Sequence, residues 1–223
     1  MSGRTLIRTL VLTATGLIVI HVANELLGWP SWYIEKWFEL DRESNFPTWF
    51  SSFLLTIAAY FAYRCFLVQR EGGNGRRLWL LFSFGLLGMS CDEVAMIHEN
   101  LGNMVNKRFF NLQSIKHSEW VVLLGPLVLF IIFIFVRKLK NYLQGSTKAI
   151  NFLTAGALIY IFGAFILEST INVIGNRGLL YKIEFILEES FEMFGVILII
   201  KGLIEHHKFL LAGNRNTQYS IRK

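Results

Sequence analysis

Apolar residues run along the chain in stretches of about 20, separated by short polar breaks, and each stretch can cross roughly 30 Å of hydrocarbon as a helix. The pattern predicts spans at about residues 5–28, 47–69, 77–103, 118–139, 148–174 and 179–203. Lipid offers the backbone no hydrogen-bond partners, so a spanning segment is either a helix or part of a closed barrel. Barrel strands alternate with period two over about ten residues, whereas these stretches are continuously apolar. The predicted fold is therefore all-α, a polytopic membrane bundle of six transmembrane helices.

The spans use nearly the whole chain. Residues 1–210 read as one transmembrane domain and residues 211–223 as a basic tail suited to anionic headgroups. The first span follows Arg4 and Arg8 and reaches Trp29 without a small-residue cleavage site, so a retained signal anchor is expected. Between the first two spans, Trp32, Tyr33, Trp37 and Phe38 alternate with charged residues, which suits a short helix lying in the membrane interface.

Composition agrees with this reading: of 223 residues, 53% are apolar, including 20 Phe, and only 3 are Pro. The mean hydropathy is +0.45, too apolar for a soluble domain of this length. The net charge of +6 has a topological explanation rather than a nucleic-acid one. Arg4, Arg8, Arg64, Arg70, Arg76, Arg77, Arg137, Lys138, Lys140, Lys148, Lys201 and Lys208 fall on one side of a six-span arrangement, together with the tail. Lys36, Arg42, Lys107, Arg108, Lys116, Arg177 and Lys182 fall on the other. The richer side is cytoplasmic by the positive-inside rule, so both termini are expected inside. The topology and brevity suit a bacterial inner (plasma) membrane. Cys65 and Cys91 lie within different spans and predict no disulfide framework.

The chemistry resides in acidic residues at membrane depth, which are costly there and mark a pathway, a relay or a bound ion. His21 and Glu25 lie in the first span; Asp92, Glu93, His98 and Glu99 in the third; Glu168 in the fifth; and Glu184, Glu188, Glu189 and Glu192 in the sixth. A helix rises about 1.5 Å per residue, which puts His21, Asp92 and Glu188 all about 20 Å above the cytoplasmic ends of their spans. Glu25, His98, Glu99, Glu168 and Glu184 form a second layer about 25 to 33 Å up by the same rise. Spans one, three, five and six are thus expected to form the functional core, with spans two and four as scaffold facing lipid.

These nine carboxylates have few cations near them, so they must hold protons or a bound cation. A divalent metal, zinc, iron or manganese, suits oxygen and imidazole donors, with His21, Glu25, Asp92, His98, Glu99, Glu168, Glu188 and Glu192 as candidate ligands. Glu93 and Glu189 are the candidate acid or base. The Glu-x-x-His pair of ferritin-like bundles is absent. Ser169, Thr170, Asn172 and Ser190 can orient carboxylates or act on substrate, although hydroxyls in membrane helices more often satisfy neighbouring helices or backbone carbonyls, while Glu205, His206 and His207, at the cytoplasmic end, read as a solvated helix face.

The segment Ser90-Cys91-Asp92-Glu93-Val94-Ala95-Met96-Ile97-His98-Glu99, with Glu188-Glu189-Ser190-Phe191-Glu192-Met193-Phe194-Gly195, resembles a pattern in uncharacterised bacterial multi-pass membrane proteins. That resemblance implies the membrane fold and no activity. In keeping Asp, Glu, His and Ser inside a helical bundle the chain is also similar, in chemistry alone, to intramembrane hydrolases of the alkaline ceramidase type. Their paired C-terminal His motif is not matched within the membrane, because His206 and His207 lie at the other end.

Three functions follow as expectations. The first is a metal-dependent membrane hydrolase or oxidoreductase acting on a lipid or other apolar substrate. The second is a cation or proton transporter or channel using the same carboxylates. The third is a non-catalytic membrane subunit or assembly factor.

Overall fold

A computed structural model describes residues 2–69, 74–112, 118–143, 145–175 and 178–221. Among the expected topological charges, Arg70, Lys116, Arg177, Arg222 and Lys223 lie outside the described residues. The described residues form helices with no strand among them.

Helix α1 covers Gly3–Leu26 and starts at a Ser2 cap, whose hydroxyl accepts from Thr5 N at 3.2 Å. The interfacial segment is a short helix, α2, at Trp32–Phe38. Helix α3 spans Phe46–Val68, with Asn45 as cap and Pro47 in the first turn. Then come α4 (Asn74–Ala95), α5 (Ile97–Val105), α6 (Glu119–Leu123) and α7 (Gly125–Tyr142). Helix α8 (Thr147–Ile161) runs through a π turn at Phe162–Leu167 into α9 (Glu168–Ile174), and α10 extends over Leu179–Ile221.

Four helices, Gly3–Leu26, Phe46–Val68, Gly75–Ala95 and Thr147–Ile174, are long and apolar enough to cross a membrane. The segments read as spans four and six carry more charge. Helix α7 contains Arg137, Lys138 and Lys140, and α10 contains Lys182, four Glu residues between 184 and 192, and Lys201. The outer surface is apolar in the manner of a lipid-facing one, with Leu12, Leu81, Phe84, Leu127, Phe133 and Leu158 all exposed.

Two expected spans are interrupted. The third breaks at Met96, whose left-handed backbone (φ +49°, ψ +41°) separates α4 from α5. The fourth breaks at Leu124, just before Pro126. The sixth is longer than expected, since α10 continues through the tail to Ile221.

Helix α10 is the central column, packed against α8, α3 and α1, while α3 also packs along α4. Glycines set the α8–α10 distance. A Cβ on Gly156 would stand 2.6 Å from Gly195 O, one on Gly195 would stand 2.7 Å from Tyr160 N, and one on Gly202 would stand 2.7 Å from Leu153 Cγ. Such small-residue seams bring membrane helices into backbone contact, where van der Waals packing replaces the missing hydrophobic drive. The α3–α4 contact works similarly, with Ala58, Ala59 and Ala62 buried and Ser83 Oγ donating to Ala59 O at 2.8 Å. Helix α3 is therefore core rather than lipid-facing scaffold: Leu54, Leu55 and Cys65 are buried on it as well. Its alanine face was unreadable as a contact face because alanine is equally at home against lipid or protein. Cys65 and Cys91 are both free thiols.

Candidate functional site

The site begins at the Met96 break. Ending α4 one turn after Asp92 lets that side chain turn onto the start of α5. His98 N donates to Asp92 Oδ1 at 2.8 Å, and His98 Nδ1 meets Asp92 Oδ2 at 2.5 Å. Asp92 thus caps α5 and fixes the imidazole at once.

The next contact is made by a residue the sequence did not single out. A Cβ on Gly102 would lie 2.5 Å from Trp120 N, so this glycine admits the α6 backbone against α5. Trp120 then sets its ring edge-on to His98 at 4.6 Å and donates from Nε1 to Glu168 Oε1 at 2.5 Å. Asp92, His98, Trp120 and Glu168 form one connected line across α4, α5, α6 and α9.

The π turn positions Glu168. One extra residue in a turn rotates everything after it by about 100° relative to a straight α-helix. It also displaces carbonyls from the regular ladder. Ser169 Oγ donates to Phe165 O, and Thr170 Oγ1 donates to Leu167 O at 2.7 Å. Ser190 Oγ likewise donates to Ile186 O at 2.6 Å, and Asn172 Nδ2 donates to Ser118 Oγ. These polar groups serve the helices and do not touch the carboxylates.

Helix α10 supplies the opposite wall. Glu188 lies within electrostatic reach of Glu168, Glu189 and Glu184. Glu189 is within reach of Glu93, Glu43 and Asp41, and Glu192 of Glu93 and Glu189. Glu93 in turn faces Glu43, His98, Asp92 and Glu99. Asp92, Glu93, His98, Glu99, Glu168, Glu184, Glu188, Glu189 and Glu192 are thus gathered into one region. Glu184 is buried, and its Oε1 has no hydrogen-bond partner.

Two further acids, Asp41 and Glu43, join from the loop between α2 and α3. Tyr181 OH donates to Asp41 Oδ2 at 2.6 Å, and Thr48 Oγ1 donates to Glu43 Oε2 at 3.3 Å. Withdrawal from water raises both carboxyls above their ordinary range, opposed at Asp41 by the Tyr181 hydroxyl and reinforced at Glu43 by the Glu99 charge. The only advance signal for them was an acidic run just before the second span.

His21 and Glu25 are held separately. His21 is fully buried; its Nδ1 accepts from Leu40 N at 3.0 Å, and its ring meets Trp29 and Phe185 edge-on. Glu25 accepts from Lys182 Nζ and, at 2.8 Å, from Trp29 Nε1. Both residues pin the outer loop to α1 and α10. Two nearby cations are engaged: Arg42 pairs with Glu39 at 2.9 Å and Glu35 at 3.5 Å, and Lys182 with Glu25.

Among the described residues, no three His, Cys, Asp or Glu side chains converge as a metal ion requires. The described arrangement thus gives the expected zinc, iron or manganese ligand set no support. Both Glu25 oxygens are taken by Lys182 and Trp29, and His98 Nδ1 is taken by Asp92, which leaves Nε2 as the open donor of that ring.

At the innermost edge of the acids, Glu93, Glu192, Tyr160 and Ser51 line a narrow crevice with Leu54 and Leu55. Close approach of Gly195 to the Tyr160 backbone places this tyrosine beside Glu192. Further along α10, away from the acids, His206 and His207 are buried rather than solvated. His206 stacks on Trp79 with centroids 4.8 Å apart, because the indole of α4 turns inward against α10.

A family profile described as a domain of unknown function (DUF8692) matches residues 7–205, and the chain belongs to that family. No curated protein and no solved structure matches it.

Proposed function

We propose that this chain crosses a plasma membrane six times, with both termini in the cytoplasm, and that its outward-facing acid cluster binds and passes small cations, protons included. One observation carries the reading. Carboxylates from α4, α9, α10 and the outer loop crowd one region, and among the described residues the ion pairs give that region a single basic partner, His98 on Asp92. Buried carboxylates without fixed countercharge take up protons or mobile cations. Arg42 and Lys182, already paired with Glu39, Glu35 and Glu25, leave this demand in place.

The six-span arrangement is supported by the skewed distribution of the basic residues along the chain. The end of α10 would then stand in the cytoplasm as the basic tail. Membrane lipid is the surrounding partner. An N-terminal and a C-terminal reporter that both label only after permeabilisation would support this topology; labelling of either from outside would sink it.

For transport, the test is ion flux in proteoliposomes. Flux that Glu192→Gln leaves unchanged would remove the proposal. The competing reading, a metal-dependent enzyme on a lipid or apolar substrate with Glu93 or Glu189 as acid or base, requires ligands to regroup around an ion. Stoichiometric zinc, iron or manganese in the purified protein, lost in Asp92→Ala, would favour it over transport.

A further inference from the structure

We propose that the crevice between α3, α4, α8 and α10 is a binding site for a hard cation stripped of water, of the sodium or calcium class. The inference rests on the transport reading above and names the ion and its ligands: the Glu93 and Glu192 carboxylates and the Ser51 and Tyr160 hydroxyls.

Ser51 is the independent observation. The two neighbouring hydroxyls on α3 are fully accounted for, since Ser52 Oγ donates to Ser90 O at 2.8 Å and Thr56 Oγ1 lies 2.9 Å from Ser90 Oγ. Ser51 is 6% exposed, lines the crevice, and its Oγ has no hydrogen-bond partner. Serines in membrane helices ordinarily bond to a carbonyl of the preceding turn, and leaving a buried hydroxyl unsatisfied is costly. An oxygen ligand held ready for an ion accounts for that cost.

The donor chemistry selects the ion. Carboxylate and hydroxyl oxygens are hard donors, and the crevice offers no imidazole or thiolate. Leu54, Leu55, Met193 and Val196 complete the lining, so the ion would exchange its water for protein oxygen. A calcium ion balances two carboxylates; a sodium ion balances one and leaves a proton on the other.

The full chain, purified in detergent, is melted in sodium, calcium or choline chloride at matched ionic strength. Sodium or calcium should raise the midpoint saturably relative to choline, by linkage to the folded state. Ser51→Ala should raise the half-saturating concentration by roughly tenfold, the effect of losing about 1.4 kcal/mol of binding. Equal wild-type midpoints in all three salts overturn the site, whatever the variant does. Ser51→Ala that folds and saturates like wild type overturns it too. Proton flux in proteoliposomes alongside equal midpoints overturns the site and leaves the transport reading standing. Salt-specific stabilisation without flux of any ion supports the site and overturns the transport reading.

Discussion

His98 and Asp92 are joined twice, by a backbone donor at 2.8 Å and a ring nitrogen at 2.5 Å, across a helix break that the left-handed Met96 creates. An ionised carboxylate only accepts, so Nδ1 carries the proton and Nε2 is turned away from Asp92. The pair is a structural joint before it is anything else.

Asp92→Ala removes the cap and the imidazole's anchor together. The loss should be about 1 to 2 kcal/mol, the usual worth of a helix cap. Asp92→Asn keeps the Oδ1 acceptor and should lose less. Chemical denaturation in detergent ranks the three proteins, and equal stabilities would show that the joint holds nothing.

Trp120→Phe preserves the ring against His98 and Phe165 but leaves Glu168 Oε1 without its donor. A buried acceptor without a partner costs about 1 to 3 kcal/mol. A lower thermal midpoint is expected, accompanied by a smaller loss in Glu168→Gln, which retains an acceptor. An unchanged midpoint in Trp120→Phe would contradict the bond.

Gly195→Leu drives a side chain into Tyr160 and should destabilise by about 1 to 3 kcal/mol or more, the cost of overpacking. Gly16 has nothing within 4 Å of an added Cβ, so Gly16→Ala should change stability by less than about 1 kcal/mol, the helix-propensity difference. Resistance of the two variants to denaturation by sodium dodecyl sulfate separates them.

The loop between α2 and α3 should tighten in acid. Glu39, Asp41 and Glu43 all have carboxyl pKa values raised by withdrawal from water, with Arg42 opposing at Glu39. The folded chain then binds protons more tightly than the unfolded chain. Their contribution is fully present below the ordinary carboxyl pKa of about 4 and is lost as pH rises through the raised values. Hydrogen exchange at the α2–α3 loop should accelerate as pH rises through that window, after correction for intrinsic exchange. The double variant Asp41→Asn, Glu43→Gln should flatten the profile; a wild-type profile already flat would refute the prediction.

Much of the fold was legible because a membrane turns composition into geometry. Long apolar runs can satisfy their backbones only as helices, so α1, α3 and the Thr147–Ile174 helix fell close to their expected limits. Hydropathy does not register a break such as Met96, where apolar residues continue while the backbone reverses hand. Nor does it detect the π turn at Phe162–Leu167, whose residues are as apolar as any in a regular helix.

For the site, the sequence alone determined that acids cluster toward one end of the chain's apolar segments, because charge and its position along a helix can be counted. Tertiary structure decided which of them meet. Glycines at 102 and 195 set how closely backbones approach, and this brought Trp120 to Glu168 and Tyr160 to Glu192. The same packing turned Ser51 inward and tied His21 and Glu25 to the outer loop and Lys182. Residue type sets what a side chain can bind, whereas the partner it finds depends on helix rotation and spacing, which arise only when the helices pack.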